Sequence, residues 1–419
     1  MLAVIHRVCI DILCKTIYND SGKNPNTIFK GGFFMNHQNE GKVISGNALV
    51  IYGGGLCDNA ARFITDMAQA LYCSSNSFEK VFVGRFSFRA LTEDDSLIEE
   101  WTEESSAKYE NVLGGYFGTC RETDLANDEQ ARKRAFDKCK RFGIRYIFLG
   151  GGDGSARQMA EIAELFKEQG IYFVFALPLT IDGIEGGNFI GLRAAVNVSL
   201  HRIDEVSSTG LRTLEGNKYP ALAVKLMGRN RDNILAEVMT WIDANGIRDF
   251  GKDEVEIKAI PANYPWSKEN LIEAMKVEGD PNGGKLIGKP LLILYSEGAK
   301  LGDVQLEKND LKEMAANAGR KLRFFSIGHN SQINGETTDL AKDVHRDIVN
   351  DIAEKALNTI HKNMSSNTEE PFSIVVSDSR KSLPIRVEKY DYFAKLNPRE
   401  RQKPTLEKNT EKTLKKYIP

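Results

Sequence analysis

The sequence predicts an α/β fold built as two doubly wound, mostly parallel sheets. Three observations predict it. Short apolar runs recur along the chain, amphipathic stretches separate most of them, and the unusual polar loops all follow the runs. Strands that alternate with helices form parallel sheets covered on both faces. Ligands of such sheets bind at the carboxyl ends of the strands.

Each element can be read in order. Ala48-Leu49-Val50-Ile51-Tyr52 is a strand that meets Gly53-Gly54-Gly55, and a helix runs from about 59 to 71. Residues 128–142 place Ala131, Ala135, Cys139 and Phe142 at helical spacing with charges between them. Arg145-Tyr146-Ile147-Phe148-Leu149 is a buried strand, residues 150–154 a turn and residues 155–169 a helix. Further strands are predicted at 172–177, 221–227, 255–260, 290–295, 321–327 and 373–376. Residues 15–46 are rich in Asn, Gly, Lys and Ser and have no apolar period, which reads as an extension or linker.

Composition narrows the function. The 419 residues carry 56 Lys plus Arg against 58 Asp plus Glu, a formal charge of −2. A protein held to nucleic acid by phosphate contacts is usually clearly basic, so no nucleic-acid partner is expected. No run approaches the roughly 18 apolar residues of a membrane span, so no membrane partner is expected either. Cys9, Cys14, Cys57, Cys73, Cys120 and Cys139 are scattered without metal-type spacing. They read as free thiols of a reducing, cytoplasmic protein.

Two loops carry the chemistry. Gly150-Gly151-Gly152-Asp153-Gly154-Ser155 lies where a strand turns into a helix. Glycines let backbone approach phosphate oxygens closely, and the helix adds free amides. A carboxylate among such glycines suits Mg²⁺. Pro178-Leu179-Thr180-Ile181-Asp182-Gly183 follows the next strand. Asp182 there is a candidate general base for a hydroxyl, a role worth typically about 10²–10⁴-fold, or the cap of a following helix.

Gly-Gly-Asp-Gly-Ser followed by Leu-Pro-x-Thr-Ile-Asp resembles the phosphofructokinase superfamily. Four further segments resemble it in order: Gly53-Gly54 with Asn59-Ala60, Gly114-Gly115-Tyr116-Phe117-Gly118-Thr119-Cys120-Arg121, Met227-Gly228-Arg229, and Ile327-Gly328-His329 with Glu297 before it. The resemblance covers about residues 47 to 360. It implies two α/β domains with an active-site cleft between them. Residues 47–191 plus part of 333–395 would form the nucleotide-binding domain and 192–332 the acceptor-binding domain. They would be flanked by a flexible 1–46 extension and a polar 396–419 tail, read as a solvated helix or disordered end.

The resemblance also implies roles. Asp153 would hold Mg²⁺. Gly53, Gly54, Gly152, Gly154 and Ser155 would shape the phosphate site, and Arg121 would offset charge on the transferring phosphoryl group. Thr180 and Asp182 would face the acceptor hydroxyl. Met227, Gly228, Arg229 and Glu297 would line the acceptor site. Arg323 and His329 would meet a distal phosphate across a subunit boundary, so a dimer or tetramer is expected. ATP is the expected donor rather than pyrophosphate, because Gly154 stands where pyrophosphate users resemble Gly-Gly-Asp-Asp-Ser. The acceptor is a sugar-like small molecule. A catalytically silent homologue that binds nucleotide or sugar phosphate as a regulator is the alternative.

The chain departs from the family at the acceptor side. Asp182 is followed by Gly183 and Ile184 instead of Asn-Asp; apart from the acceptor side, Gly55 in the first glycine loop stands where Asp or Pro is usual. His329-Asn330-Ser331-Gln332 replaces His-x-Gln-Arg, and Pro220 replaces another family Arg. These losses point to an acceptor other than fructose 6-phosphate. They leave Arg212, Lys218 and Arg231 as compensating cations.

Met35 lies a short polar stretch before the first strand. A chain that starts at Met35 is expected to keep the melting temperature and activity of the full chain. A large loss of melting temperature would refute this.

Overall fold

The computed structural model describes residues 43–54, 59–74, 77–109, 112, 114–120, 125–178, 192–213, 218–228, 232–251, 253–262, 264–277, 288–328, 339–376, 385–392 and 408–418. The described residues up to 178 and between 339 and 392 form one compact unit. Those between 192 and 328 and those of 408–418 form a second.

The first unit holds β1 (Asn47–Gly53), α1 (Asn59–Cys73), β2 (Val81–Gly84), α2 (Arg89–Thr92), β3 (Ile98–Glu100) and α3 (Glu103–Tyr109). It continues with α4 (Glu129–Arg141), β4 (Ile144–Gly151), α5 (Asp153–Lys167) and β5 (Tyr172–Pro178). After the second unit the chain returns for α10 (Asp339–Ser366), β12 (Phe372–Val376) and β13 (Ile385–Lys389). The sheet order is β13-β12-β5-β4-β1-β2-β3. Strands from β12 to β2 pair in parallel, and β12–β13 and β2–β3 pair antiparallel.

Residues 48–53 of β1 are all buried, as are all but Arg145 in β4. This is why both read as continuous apolar runs rather than alternating ones. Helix α1 packs on α10, and α5 packs on β4 and β5. The antiparallel edges β3 and β13 were not legible as strands, since three to five mixed residues carry no period. Lys138 of α4 is 3% exposed. Its Nζ donates to the carbonyls of Ala90 and Glu93 at the end of α2 and meets Asp95 at 3.3 Å. A lysine thereby satisfies carbonyls that a helix end leaves without partners.

The second unit holds α6 (Leu192–Gly210), β6 (Tyr219–Leu226), α7 (Asn233–Asn245), β7 (Glu256–Ile260), α8 (Lys268–Met275) and β8 (Leu291–Ser296). A short hairpin, β9 (Lys300–Leu301) and β10 (Val304–Gln305), precedes α9 (Lys308–Asn317) and β11 (Arg320–Ile327). Its sheet, β11-β6-β8-β7, is wholly parallel. Side chains alternate between two cores, as the period of two requires. Leu222, Val224, Leu292 and Leu294 pack with α6 and α7. Ala221, Ala223, Leu291 and Ile293 pack with α8 and α9.

The polar tail is not simply solvated. It carries α11 (Lys408–Tyr417), which packs on α7. Leu414 is 5% exposed within the α6–α7 core. Lys416 Nζ donates to Asp243 at 2.6 Å, and Tyr417 donates to the same carboxylate. One apolar residue per helical face was too weak a sequence signal against so many lysines.

Arg320 begins β11 and is 2% exposed. Its Nε donates to the Met275 carbonyl at 2.5 Å and its Nη1 to Lys289 at 2.8 Å, while Nη2 pairs with Glu256 at 3.1 Å. Removing one member of a buried charged network costs about 3–5 kcal/mol. Arg320→Ala is therefore expected to destabilise the second unit by that amount in urea unfolding. A change below about 1 kcal/mol would show that this network is dispensable.

Candidate active site

In the first sheet β1 pairs with β2 on one side and with β4 on the other. The chain order reverses there, and the carboxyl ends of β1 and β4 flank the crevice where open α/β sheets bind ligands. Register sets Tyr52 opposite Gly150 and Gly53 opposite Gly151. Pro178, at the end of β5, pairs with Gly151. Both glycine-rich loops therefore leave the sheet side by side, and β5 ends beside them.

Ser155 explains two of the glycines. It is 3% exposed in the first turn of α5. A Cβ at Gly53 would lie 2.7 Å from Ser155 Oγ. One at Gly151 would lie 2.5 Å from that hydroxyl and 2.6 Å from the Gly53 carbonyl oxygen. Gly54 has φ +101°, a backbone angle that favours glycine. Gly152 is the N-cap of α5 and has no side chain to cap it. Gly154 is different: a Cβ there would meet nothing within 4 Å. Packing does not demand that glycine, which is exposed in the first turn of α5, and a helix N-terminus offers free amides to anions.

A third loop joins this crevice. Thr119 Oγ1 donates to the Gly54 carbonyl at 2.6 Å, which brings the Gly114–Thr119 segment against the first glycine loop. The turn after β2 also lies here. Phe86 N–H donates to the Phe117 carbonyl at 2.8 Å, and Ser87 Oγ lies 3.2 Å from the position a Gly53 Cβ would take. Phe86 and Ser87 have φ of 56° and 57°, a conformation that costs about 1–3 kcal/mol at each non-glycine residue. Sequence reading missed Arg85, Phe86 and Ser87, because a strained turn leaves no periodic mark.

In the second unit, the carboxyl ends of β6, β8 and β11 lie together. Leu226 pairs with Ser296 and with Ile327, and Glu297 N–H donates to the Leu226 carbonyl at 2.9 Å. Met227, Gly228, Glu297 and Gly328 are thus neighbours at one end of the sheet. Asp232, 3% exposed, accepts from Ser296 Oγ at 2.6 Å and from the Ala262 amide at 2.7 Å. This buried carboxylate fastens the ends of β7 and β8 under that cluster, a role not read from sequence.

Arg323 sits elsewhere. It lies mid-strand on the edge strand β11, opposite Leu222, and donates to the Thr209 carbonyl at 3.2 Å. Pro220 is at the opposite end of β6 from Met227, opposite Lys321. Arg212 donates to the Asp249 carbonyl and lies 4.8 Å over the Phe250 ring. Arg121, Thr180, Asp182, Arg229, Arg231 and His329 lie outside the described residues. Asp153 is described by its backbone alone, as the first residue of α5. Among the described residues no cluster of three or more His, Cys, Asp or Glu could hold a metal. No described helix is long and apolar enough to cross a membrane.

Comparison with known proteins agrees with this geometry. The profile of the family described as Phosphofructokinase matches residues 47–340, well over half of the chain. A protein of Natranaerobius thermophilus named ATP-dependent 6-phosphofructokinase is 28% identical over 203 residues, 48% of this chain and 54% of that protein. One of the same name from Cytophaga hutchinsonii is 26% identical over 202 residues, 48% and 53% of the two chains. The chain thus spans about half the length of these curated relatives. Among solved structures, the T-state phosphofructokinase of Pichia pastoris aligns with a TM-score of 0.67 at 15% identity, covering 92% of this chain and 43% of that one. A pyrophosphate-dependent phosphofructokinase of Marinobacter aquaeolei aligns at 0.62 and 16% identity, covering 89% and 91%. These two likenesses speak to the fold. Taken with the profile match and the paired glycine loops, they assign this chain to the phosphofructokinase family.

Proposed function

We propose that the protein is an ATP- and Mg²⁺-dependent, 6-phosphofructokinase-like phosphotransferase that acts on a hydroxyl of a sugar, sugar phosphate or sugar-containing metabolite. The observation that carries this reading is the pair of close-packed glycines ending β1 and β4, followed by the first turn of α5 with Gly154 unhindered in it. A triphosphate can lie there with its oxygens on backbone N–H groups. Asp153 would hold Mg²⁺ at the same loop. A single protein carboxylate suits an ion that keeps several waters and binds through substrate phosphates. When bound, the metal would neutralise charge on the phosphate oxygens.

The chain's own residues would do the rest. Arg121 would set a fixed positive charge by the transferring group. Asp182 would accept the hydroxyl proton, with Thr180 positioning that hydroxyl. Arg229, Met227, Gly228 and Glu297 would orient the acceptor, and Arg323 and His329 would receive its distal end. Because Arg323 is on an edge strand, self-association to a dimer or tetramer belongs to this reading. Retention of Asp153, Asp182 and Arg121 favours an active kinase over a silent homologue. The curated relatives are named ATP-dependent, which supports ATP over pyrophosphate, as does Gly154.

The glycines give a contrast test. Gly151→Ala is expected to disturb the β1–β4 ends and lower both stability and turnover. Gly154→Ala should leave stability unchanged or raise it by up to about 1 kcal/mol, and Gly154→Asp should cut ATP affinity at least tenfold through added negative charge. ATP binding indifferent to Gly154→Asp would refute the donor assignment, as would turnover with pyrophosphate alone.

Acceptor kinetics give a second test. Losing one charge-assisted hydrogen bond to a buried partner costs on the order of 2–5 kcal/mol, and Gln332 and Pro220 stand where two arginines are usual. Fructose 6-phosphate is therefore expected to be a poor substrate in a coupled assay, while Asp182→Asn abolishes transfer to the productive acceptor of a sugar-phosphate panel. A micromolar-to-millimolar Michaelis constant with brisk turnover on fructose 6-phosphate would overturn the first half. Asp182→Asn at full rate would overturn the second.

A further inference from the structure

At the carboxyl end of the second sheet one buried polar group is left without a partner. Asn233 is the first residue of α7 and is 8% exposed. Its Oδ1 is buried and has no hydrogen-bond partner among the described residues. Buried side-chain oxygens are nearly always bonded, and each exception needs a reason. Leaving an acceptor buried and unsatisfied costs the free protein that group's desolvation.

Packing of the core does not supply the reason. Ile234, Leu235, Val238, Met239 and Ile242 carry the apolar face of α7 into the α6–α7 core. At the helical period Asn233 lies on the opposite face, in line with Glu237, Thr240 and Ala244. Glu237 and Thr240 are half-buried and Ala244 is exposed, so on this face burial belongs to the start of the helix. That start lies at the carboxyl ends of parallel strands, where ligands of such sheets bind. Asp232, the residue before Asn233, accepts from the Ser296 hydroxyl ending β8 and from the Ala262 amide after β7. Glu297 follows Ser296 and donates its amide to Leu226, beside Met227 and Gly228. Asn233 therefore borders the cluster of Met227, Gly228 and Glu297 from outside the core.

The chemistry around Asn233 selects the ligand group. An unpartnered carbonyl oxygen needs a donor. A phosphate brings acceptor oxygens and further negative charge, and the Asp232 carboxylate is one residue away. Its full charge outweighs the roughly half charge of a helix N-terminus. A hydroxyl is neutral, donates one hydrogen bond and accepts others. Asp232 makes no side-chain cap for α7, and a helix start keeps amides without intrahelical partners, so donors for such a hydroxyl are also at hand. We infer that Asn233 is a specificity-determining residue whose Oδ1 accepts a hydrogen bond from a second hydroxyl of the phosphoryl acceptor, one that is not phosphorylated. This rests on the kinase reading and on that cluster as the acceptor side. It narrows the acceptor to a molecule with at least two hydroxyls that is uncharged where it meets α7.

Coupled kinetics of the full chain with ATP and Mg²⁺, on a panel of neutral sugars, nucleosides and sugar phosphates, test this. Asn233→Leu keeps the branching of the side chain and removes its hydrogen-bonding groups. It should melt at or above the wild-type temperature, because an unsatisfied buried oxygen is gone. It should raise the Michaelis constant of the best panel acceptor about tenfold or more and leave that of ATP within about twofold. Analogues of that acceptor lacking one hydroxyl at a time should single out one hydroxyl, away from the phosphorylated position. Its loss should cost the wild type about tenfold in kcat/KM and Asn233→Leu less than about threefold. Asn233→Ala, which adds no volume, carries the same kinetic comparison if the methyl groups of leucine do not fit. Failure of both variants to fold would show a structural role and overturn the inference. So would an unchanged acceptor Michaelis constant, or an equal penalty for every missing hydroxyl in variant and wild type. Those results leave the kinase reading standing, whereas a wild-type chain that transfers phosphate to no member of the panel would overturn that reading and the inference with it.

Discussion

One small hydroxyl organises the first unit's functional end. Ser155 Oγ occupies the room that side chains on Gly53 and Gly151 would need. Two strands can end at the same level only because neither carries a Cβ there. From that fit follow the register of β1 on β4, the start of α5 directly behind it, and the alignment of helix amides with the crevice. Thr119 then fastens the third loop onto Gly54, and the turn after β2 closes over the third loop through Phe86. Every group invoked for the donor depends on this close approach of backbone to backbone.

The second unit solves a related problem with charge. Its strand ends carry side chains rather than bare backbone, so a carboxylate buried below them holds the ends in place. Asp232 receives one donor from β8 and one from the segment after β7. Ionised carboxylates accept stronger hydrogen bonds than neutral groups. The strand ends next to Met227, Gly228 and Glu297 are thereby tied to one another.

Sequence reading reached the parallel strands because burial on both faces makes them uniformly apolar. β1, β4, β5, β6 and β8 were found within two residues of their ends, and so was β11, although most of its residues are only partly buried. It reached the glycine loops because phosphate sites need backbone, and backbone needs glycine. It missed what depends on contacts between distant segments. Phe86 and Ser87 take a left-handed conformation that no composition announces, and Tyr116 differs from Phe117 only in which way each ring faces. Leu414 was lost among lysines, and Asp232 reads as an ordinary surface residue until Ser296 and Ala262 meet it. Arg323 was placed by motif order, and its contact with Thr209 depends on the packing of α6 beside β11.

The pairing of β5 with β12 sets a schedule for the growing chain. Val174, Phe175 and Ala176 of β5 pair with β4 or lie next to it on one side, and on the other find their parallel partners only in Phe372, Ser373 and Ile374. Nearly the whole second unit is synthesised between the two. Throughout that interval the emerging sheet ends at an aromatic, charge-free edge strand with unpaired amides and carbonyls, the kind of edge that pairs with other chains. The split arrangement of the first unit thus leaves the outer edge of β5 without its native partner until the second unit has been synthesised.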